Sequence, residues 1–354
     1  MRAGALTGNE IAGSSIISRS HGHQEPRYAV TDEPLSRAGQ PTHNTFQTMQ
    51  KNKKIQHLLE YVLLRLFGAL VKLLPQRAAI GLGRKTALLV PVFPKNSMHI
   101  TRENLSRAYG DALSPPDRDK VITHLLQLQG ESLIDSIIFK HEDVKHNIRI
   151  DGMEHLYKAL QQKKGVILLG PHFDMWELAG YVFGTQLEDA ATIYKPLKND
   201  YINTYLAKTR AQSNMGLIPS KNALRPVLSR LRKGLAVVIL YDQNAGRSGL
   251  PVTFFNHTAL TYSAPAVFAL KTGCAVIPAY MIKEPGYRKH RLVIHEPFPL
   301  LKTGNKEQDL IENTQQYNDF LEKLVRKHPE QWFGWLHRRW KIPRNYAPET
   351  KQSP

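Results

Sequence analysis

The sequence predicts an α/β fold: a mixed, mostly parallel sheet with helices on both faces, preceded by a helical, membrane-associating N-terminal region. Beyond residue 150, short runs rich in Val, Ile and Leu alternate with amphipathic runs, the signature of repeated βα units. Before residue 150 the apolar spacing is helical. A third observation is the stretch KNKKIQHLLEYVLLRLFGALVKLLP, which joins a basic cluster to a long apolar run.

Taken in order, residues 1–48 are rich in Gly, Ser, Thr, Pro and His without a sustained apolar period, and read as a disordered tail. They hold no apolar run of signal-peptide length, and Met49, before the basic cluster and the first ordered-looking segment, is the hypothesised alternative start of translation. Residues 49–150 form the helical, membrane-associating region. Ile55 to Leu74 is about as long as a spanning helix needs, but Glu60, Arg65 and Lys72 interrupt it. Arg65 near the middle costs about 2.5–3.5 kcal/mol on insertion scales. Lys51, Lys53 and Lys54 precede the run and Arg77, Arg84 and Lys85 follow it, which suits a helix lying in an anionic interface. A soluble core helix is the alternative. Ser114-Pro115-Pro116 starts a further helix that runs to Ile138.

Residues 151–345 carry the α/β core and 346–354 a flexible C-terminus. Strands are expected near Val166–Leu169, Ala191–Tyr194, Leu235–Leu240, Ala275–Tyr280 and Arg291–His295. Helices are expected near Met175–Gly184, Asp200–Met215, Asn222–Arg232 and Tyr262–Thr272.

The 48 Lys and Arg against 30 Asp and Glu leave a net charge of +18, so the partner is anionic: nucleic acid, acidic lipid headgroups or an acidic protein. Cys274 is the only cysteine, which excludes an intrachain disulfide and a thiolate cluster. No G-x-S-x-G elbow is present. Gly81-Leu82-Gly83 is followed by Thr86 where a third glycine belongs, and His141-Glu142 precedes His146 by one residue too many for H-E-x-x-H. The expectation is therefore no metal and no nucleotide cofactor. Trp335-Leu336-His337-Arg338-Arg339-Trp340-Lys341 mixes aromatics with cations and suits either RNA stacking or a phosphorylated headgroup.

The chemistry centres on GVILLGPHFDMWELAG, Gly165 to Gly180. A buried strand leads through a Gly-Pro turn to His172, and Glu177 follows at H-x4-E spacing. An imidazole can take a proton from a hydroxyl near neutral pH, and a carboxylate can orient it. Residues five apart on one helix diverge by about 140°, so His172 must precede the helix for the two to meet. Asp174 and Glu177 equally suit a capping box, and that role does not exclude the other. Lys195 follows the next strand and Asp242-Gln243 a third, so these groups gather beyond strand carboxyl ends, where open α/β sheets bind ligands.

Pro171-His172 through Glu177 resembles the H-x4-D/E motif of the lysophospholipid acyltransferase superfamily. More closely, the chain is similar to the late acyltransferases of bacterial lipid A assembly, of the lauroyl and myristoyl transferase type. RENL at Arg102–Leu105, Tyr194-Lys195-Pro196, Arg210 with Ser213-Asn214, Tyr241-Asp242-Gln243, Pro251–Phe255, the TGCAVIP run from Thr272, and HPEQWFGWLHRRWK from His328 carry the likeness over about residues 54–344. The resemblance implies an enzyme on the cytoplasmic face of the inner membrane. It moves an acyl chain from acyl carrier protein, as co-substrate, to a hydroxyl on a phosphorylated glycolipid acceptor. It also implies His172 and Glu177 as the catalytic pair and Arg210 as a further functional residue. Arg210, or backbone N–H groups around Asp174 to Trp176, would face the oxyanion, and Lys195, Arg338 and Arg339 the acceptor phosphates. Lys195 stands where many members have Arg, and Asn244 where a second acid is common. Two rivals stand beside this reading: acylation of another membrane acceptor, and a non-catalytic RNA or anionic-membrane binding protein.

Overall fold

In a parallel sheet every strand delivers its carboxyl end to the same edge, so strand order decides which side chains can meet there. The computed structural model describes residues 43–89, 96–343 and 346. Two compact units divide at residue 50: Met1–Gln50, of which only the start of the first helix is described, and Lys51–Pro354. The expected tail, apart from residues 43–48, and the expected C-terminus, apart from Tyr346, lie outside the described residues, and the fold does not bear on a start at Met49.

The N-terminal helices are α1 (His43–Leu73), α2 (Gln76–Leu89), α3 (Ser97–Tyr109), α4 (Pro115–Ile138) and α5 (His141–Asn147). Ser114 caps α4 as its sequence indicates, its hydroxyl accepting from the Asp117 N–H. The helices α2 and α4 cross where two glycines meet: a Cβ on Gly130 would strike the Gly83 carbonyl. Among the described residues no helix is long and apolar enough to cross a membrane.

The α/β part follows as β1 (Ile148–Asp151), α6 (Met153–Gln161), β2 (Val166–Gly170), α7 (Trp176–Gln186), β3 (Ala190–Tyr194), α8 (Asp200–Ala211), β4 (Gly216–Pro219), α9 (Leu224–Arg232), β5 (Ala236–Leu240), β6 (Leu250–Phe254), β7 (His257–Thr261), α10 (Ala264–Thr272), β8 (Ala275–Lys283), β9 (His290–Ile294) and α11 (Lys306–Lys327). The seven-stranded sheet has the order β1-β9-β8-β2-β5-β3-β4. All its pairs are parallel except β8 with β9. The expected mixed, mostly parallel sheet is therefore present. The sequence reading omitted β1, β4 and the separate β6–β7 hairpin.

Alternation along β2 sends Ile167 and Leu169 into one core, and Val166 and Leu168 into the core on the opposite face. Helix α7 buries Leu178, Val182 and Phe183 on the second face, whereas α9 and α10 bury Val227, Leu231, Ala266 and Phe268 on the first. The chain leaving β2 and the chain leaving β5, its neighbour, thus turn to opposite faces. The place between their carboxyl ends is the crevice position at which α/β sheets bind ligands.

Candidate active site

His172 leaves β2 and Asp242 leaves β5, and the two meet in that crevice. The His172 ring Nδ1 lies 2.6 Å from Asp242 Oδ1. Asp242 Oδ2 accepts the His172 backbone N–H at 3.0 Å and the Trp332 indole N–H at 2.8 Å. Asp242 is fully buried. Burial pushes its carboxyl up, but the His172 charge and hydrogen bonds, with that from Trp332, outweigh burial and hold it below the usual carboxylate value. An ionised carboxylate only accepts, so Nδ1 carries the proton of neutral His172 and Nε2 keeps a lone pair. Burial pulls the imidazole down; the Asp242 charge and hydrogen bond, with a further contribution from the Glu177 charge, leave it above its ordinary 6.5.

This corrects the expected pairing. Glu177 does not orient His172; its carboxylate takes Arg210, Oε2 accepting from Nε at 3.0 Å and Oε1 from Nη2 at 2.5 Å. The pair joins the first turn of α7 to the last turn of α8. Asp242, expected as a substrate contact, is instead the carboxylate behind the imidazole and is sealed from solvent. The expected capping box is also corrected. Helix α7 begins at Trp176 with Met175 at the cap position, and Asp174, at φ +43°, turns its carboxylate to His290 at 2.5 Å. The Asp174 N–H, one of the amides expected at an oxyanion, is bonded to the Gln331 carbonyl.

The C-terminal segment makes the largest difference. Trp332, Trp335 and Trp340 are buried, and so is Arg339. The Arg339 guanidinium donates to the Leu260 carbonyl at 3.0 Å, Thr261 Oγ1 at 2.7 Å and Asn318 Oδ1 at 3.1 Å. Burial pulls its pKa down to about 10. The expectation that Arg339 contacts an acceptor phosphate is overturned, because the guanidinium is buried and its Nη1 and Nη2 donate inside the core. RNA stacking loses its platform for the same reason. The segment instead backs the site. Phe333 N–H donates to the His172 carbonyl at 2.9 Å, Phe173 bridges antiparallel to Trp332, and the Trp176 ring lies 5.0 Å from His172 and 5.1 Å from Phe333. A Cβ at Gly334 would fall within the Trp332 indole. Asn104, of the RENL segment, donates to the Trp335 and His337 carbonyls at 2.8 and 2.7 Å.

Lys195 is exposed beyond β3, Gln243 is half-buried beside Asp242, and Arg338 is exposed next to Arg339. Sequence reasoning missed Trp332 and His290 as supports of the site. The one signal for Trp332 was a tryptophan within the matching tail.

The model of the bacterial lipid A biosynthesis acyltransferase family matches residues 48–342. The chain belongs to that family. It is 28% identical over 273 residues to a lipid A biosynthesis palmitoleoyltransferase of Escherichia coli, covering 76% of this chain and 86% of the relative. A lipid A biosynthesis lauroyltransferase of the same organism is 27% identical over 278 residues, 77% of this chain and 88% of the relative. A phosphatidylinositol mannoside acyltransferase of Mycolicibacterium smegmatis is 23% identical over 196 residues, 54% of this chain and 62% of the relative. In this acyltransferase, then, an imidazole backed by a buried carboxylate stands at the sheet crevice, with an Arg–Glu pair on the helices flanking it.

Proposed function

We propose that this acyltransferase moves a fatty acyl chain from the thioester of acyl carrier protein to a hydroxyl of a phosphorylated lipid A precursor, at the cytoplasmic face of the inner membrane. The observation that carries the reading is the 2.6 Å contact between His172 Nδ1 and Asp242, which leaves Nε2 as a base in a chain of this family. His172 Nε2 takes the acceptor hydroxyl proton as the oxygen bonds to the thioester carbonyl carbon. Asp242 fixes the tautomer and stabilises the imidazolium. The tetrahedral oxyanion collapses with loss of the carrier thiolate, which takes the proton back from His172. Arg210 acts on the developing oxyanion through Nη1, since Glu177 holds Nε and Nη2. Glu177 thus serves catalysis by setting Arg210. Lys195 and Arg338 meet acceptor phosphates, and Gln243 lines the acceptor side. A thioester is already activated, so the step requires neither ATP nor metal.

The exposed leucines of α1 supply the membrane contact. The mannoside acyltransferase relative favours a second reading, in which the acceptor is another membrane lipid. Purified protein offered lauroyl-, myristoyl- and palmitoleoyl-acyl carrier protein with tetraacylated lipid A precursor gives, on the first reading, a product heavier by one acyl group. No mass gain on that acceptor, but gain on phosphatidylinositol mannoside or a lysophospholipid, would select the second.

A further inference from the structure

Two residues beyond His172, the backbone at Asp174 adopts a conformation that L side chains seldom take, φ +43°. Something must hold it there. Its carboxylate is buried, and Oδ2 lies 2.5 Å from His290 Nδ1 on β9. The other ring nitrogen, Nε2, lies 3.3 Å from Asp135 Oδ2 on α4. Asp135 Oδ1 accepts from Arg288 Nε at 2.5 Å. Arg288 also grips Asp143 of α5 at 3.2 and 3.0 Å and Gln76 of α2 at 3.1 Å. The chain of contacts runs from α2, α4 and α5 through β9 to the loop that carries His172. Asp174, His290, Asp135 and Arg288 are each 3% exposed or less.

We propose that His290 is a positioning residue for His172: as an imidazolium clamped between Asp174 and Asp135, it holds the strained turn that places the catalytic base, and ties that turn to the N-terminal helices. The inference rests on the proposed role of His172. Carboxylates only accept, so a ring with one on each nitrogen needs both N–H groups, and neutral His290 can satisfy only one. The charged groups facing it are Asp174 from the loop, Asp135 from α4, Lys283 from β8 and Arg288 from the turn before β9, with Asp143 of α5 behind Arg288. Burial and Lys283 oppose the imidazolium. The two carboxylates prevail, and His290 titrates at about 9. A group whose pKa is raised on folding contributes stability fully below its unfolded value, near 6.5, and loses it as pH rises toward its folded value, about 9.

The test uses the full chain in detergent micelles, as wild type and as His290→Gln, whose amide cannot donate to both carboxylates from two ring positions. In the wild type, thermal stability should fall between pH 6.5 and 9, and His290→Gln should flatten that dependence. At neutral pH, His290→Gln should speed amide exchange in the peptide covering residues 172–178 about 10-fold or more. It should also cut kcat about 10- to 100-fold with KM within about 2-fold, as a misplaced catalytic group does. A wild-type melting temperature flat across that pH range overturns the proposal without reference to any variant. So does a folded His290→Gln with unchanged exchange. If wild type transfers no acyl chain at all, the proposed function fails, and the exchange and melting results still decide the clamp.

Discussion

At the scale of single residues, the site separates two carboxylates by what each one holds. Asp242 is buried and receives three hydrogen bonds, two of them from His172, whereas Glu177 is half exposed and spends both oxygens on Arg210. The replacement Asp242→Asn keeps the shape but permits the wrong tautomer, so turnover should drop about 10⁴-fold, while His172→Ala should abolish it. Because the Asp242 charge raises His172, and only neutral His172 can act as the base, wild-type kcat/KM should fall as pH drops through a value above 6.5. In Asp242→Asn the residual activity should show that limb displaced to lower pH; an unmoved limb would remove Asp242 from behind the imidazole. Glu177→Ala and Arg210→Ala each remove one half of a single unit. A double-mutant cycle should therefore show strong coupling, the pair of changes costing little more than either alone. Additive losses would mean that Glu177 acts on the reaction independently of Arg210.

Among elements, the C-terminal segment after α11 behaves as a wall of the site. Asn104 on α3 holds two of its carbonyls, and Asn244 after β5 holds three, those of Arg338, Arg339 and Lys341. Asn104→Ala would leave buried carbonyls unpaired, at a cost of about 1–3 kcal/mol. The denaturant midpoint should fall with an unchanged slope, and turnover should fall too, because Trp332 on that segment holds Asp242. A variant with unaltered midpoint would separate the wall from the helix that pins it. Elements differ in the same way in how far the sequence announces them. Strands β2, β5 and β8 were legible because their apolar runs are buried on both faces. Strands β1 and β4, four residues each, carry no such run. The β6–β7 hairpin turns through Phe255 and Asn256, both at positive φ, and a buried phenylalanine there gives no turn signal of the usual Asn-Gly kind. His172 was legible from its turn and spacing. Its pairing with Asp242 was not, because that depends on β5 inserting beside β2, a strand reached only after β3 and β4. The basic, aromatic tail was misplaced outward because composition records cations and rings but not which carbonyls stand ready to receive Arg339.

For the whole molecule, the proposal that α1 carries the membrane contact rests on what that helix leaves uncovered. One face of the helix is held to the protein. Asn199 Nδ2 donates to the His57 carbonyl at 2.9 Å and to Glu60 at 2.8 Å, Tyr61 stacks on Tyr201, the Arg65 guanidinium lies over Tyr205, and Val71 is buried with Ile80 and Ile134. The other face presents Leu59, Leu63, Leu66, Leu70 and Leu73, all more than half exposed and spaced three or four apart. A stripe of that size with no partner among the described residues suits an acyl-chain boundary, and Lys53 and Lys54 before it suit anionic headgroups. Burying a leucine side chain is worth about 1.5–3 kcal/mol, so replacing Leu59, Leu63 and Leu66 together by Asp should weaken binding to phosphatidylglycerol-containing vesicles by more than about 10³-fold. These three positions belong to no core cluster among the described residues, so circular dichroism and the melting temperature should stay near wild type, and turnover on a detergent-dispersed acceptor should persist while turnover on vesicle-embedded acceptor is lost. Vesicle co-sedimentation reads the first effect directly. If the triple variant pellets as wild type does, the lipid-facing surface is not this stripe, and the donor and acceptor must enter the His172 crevice from another side.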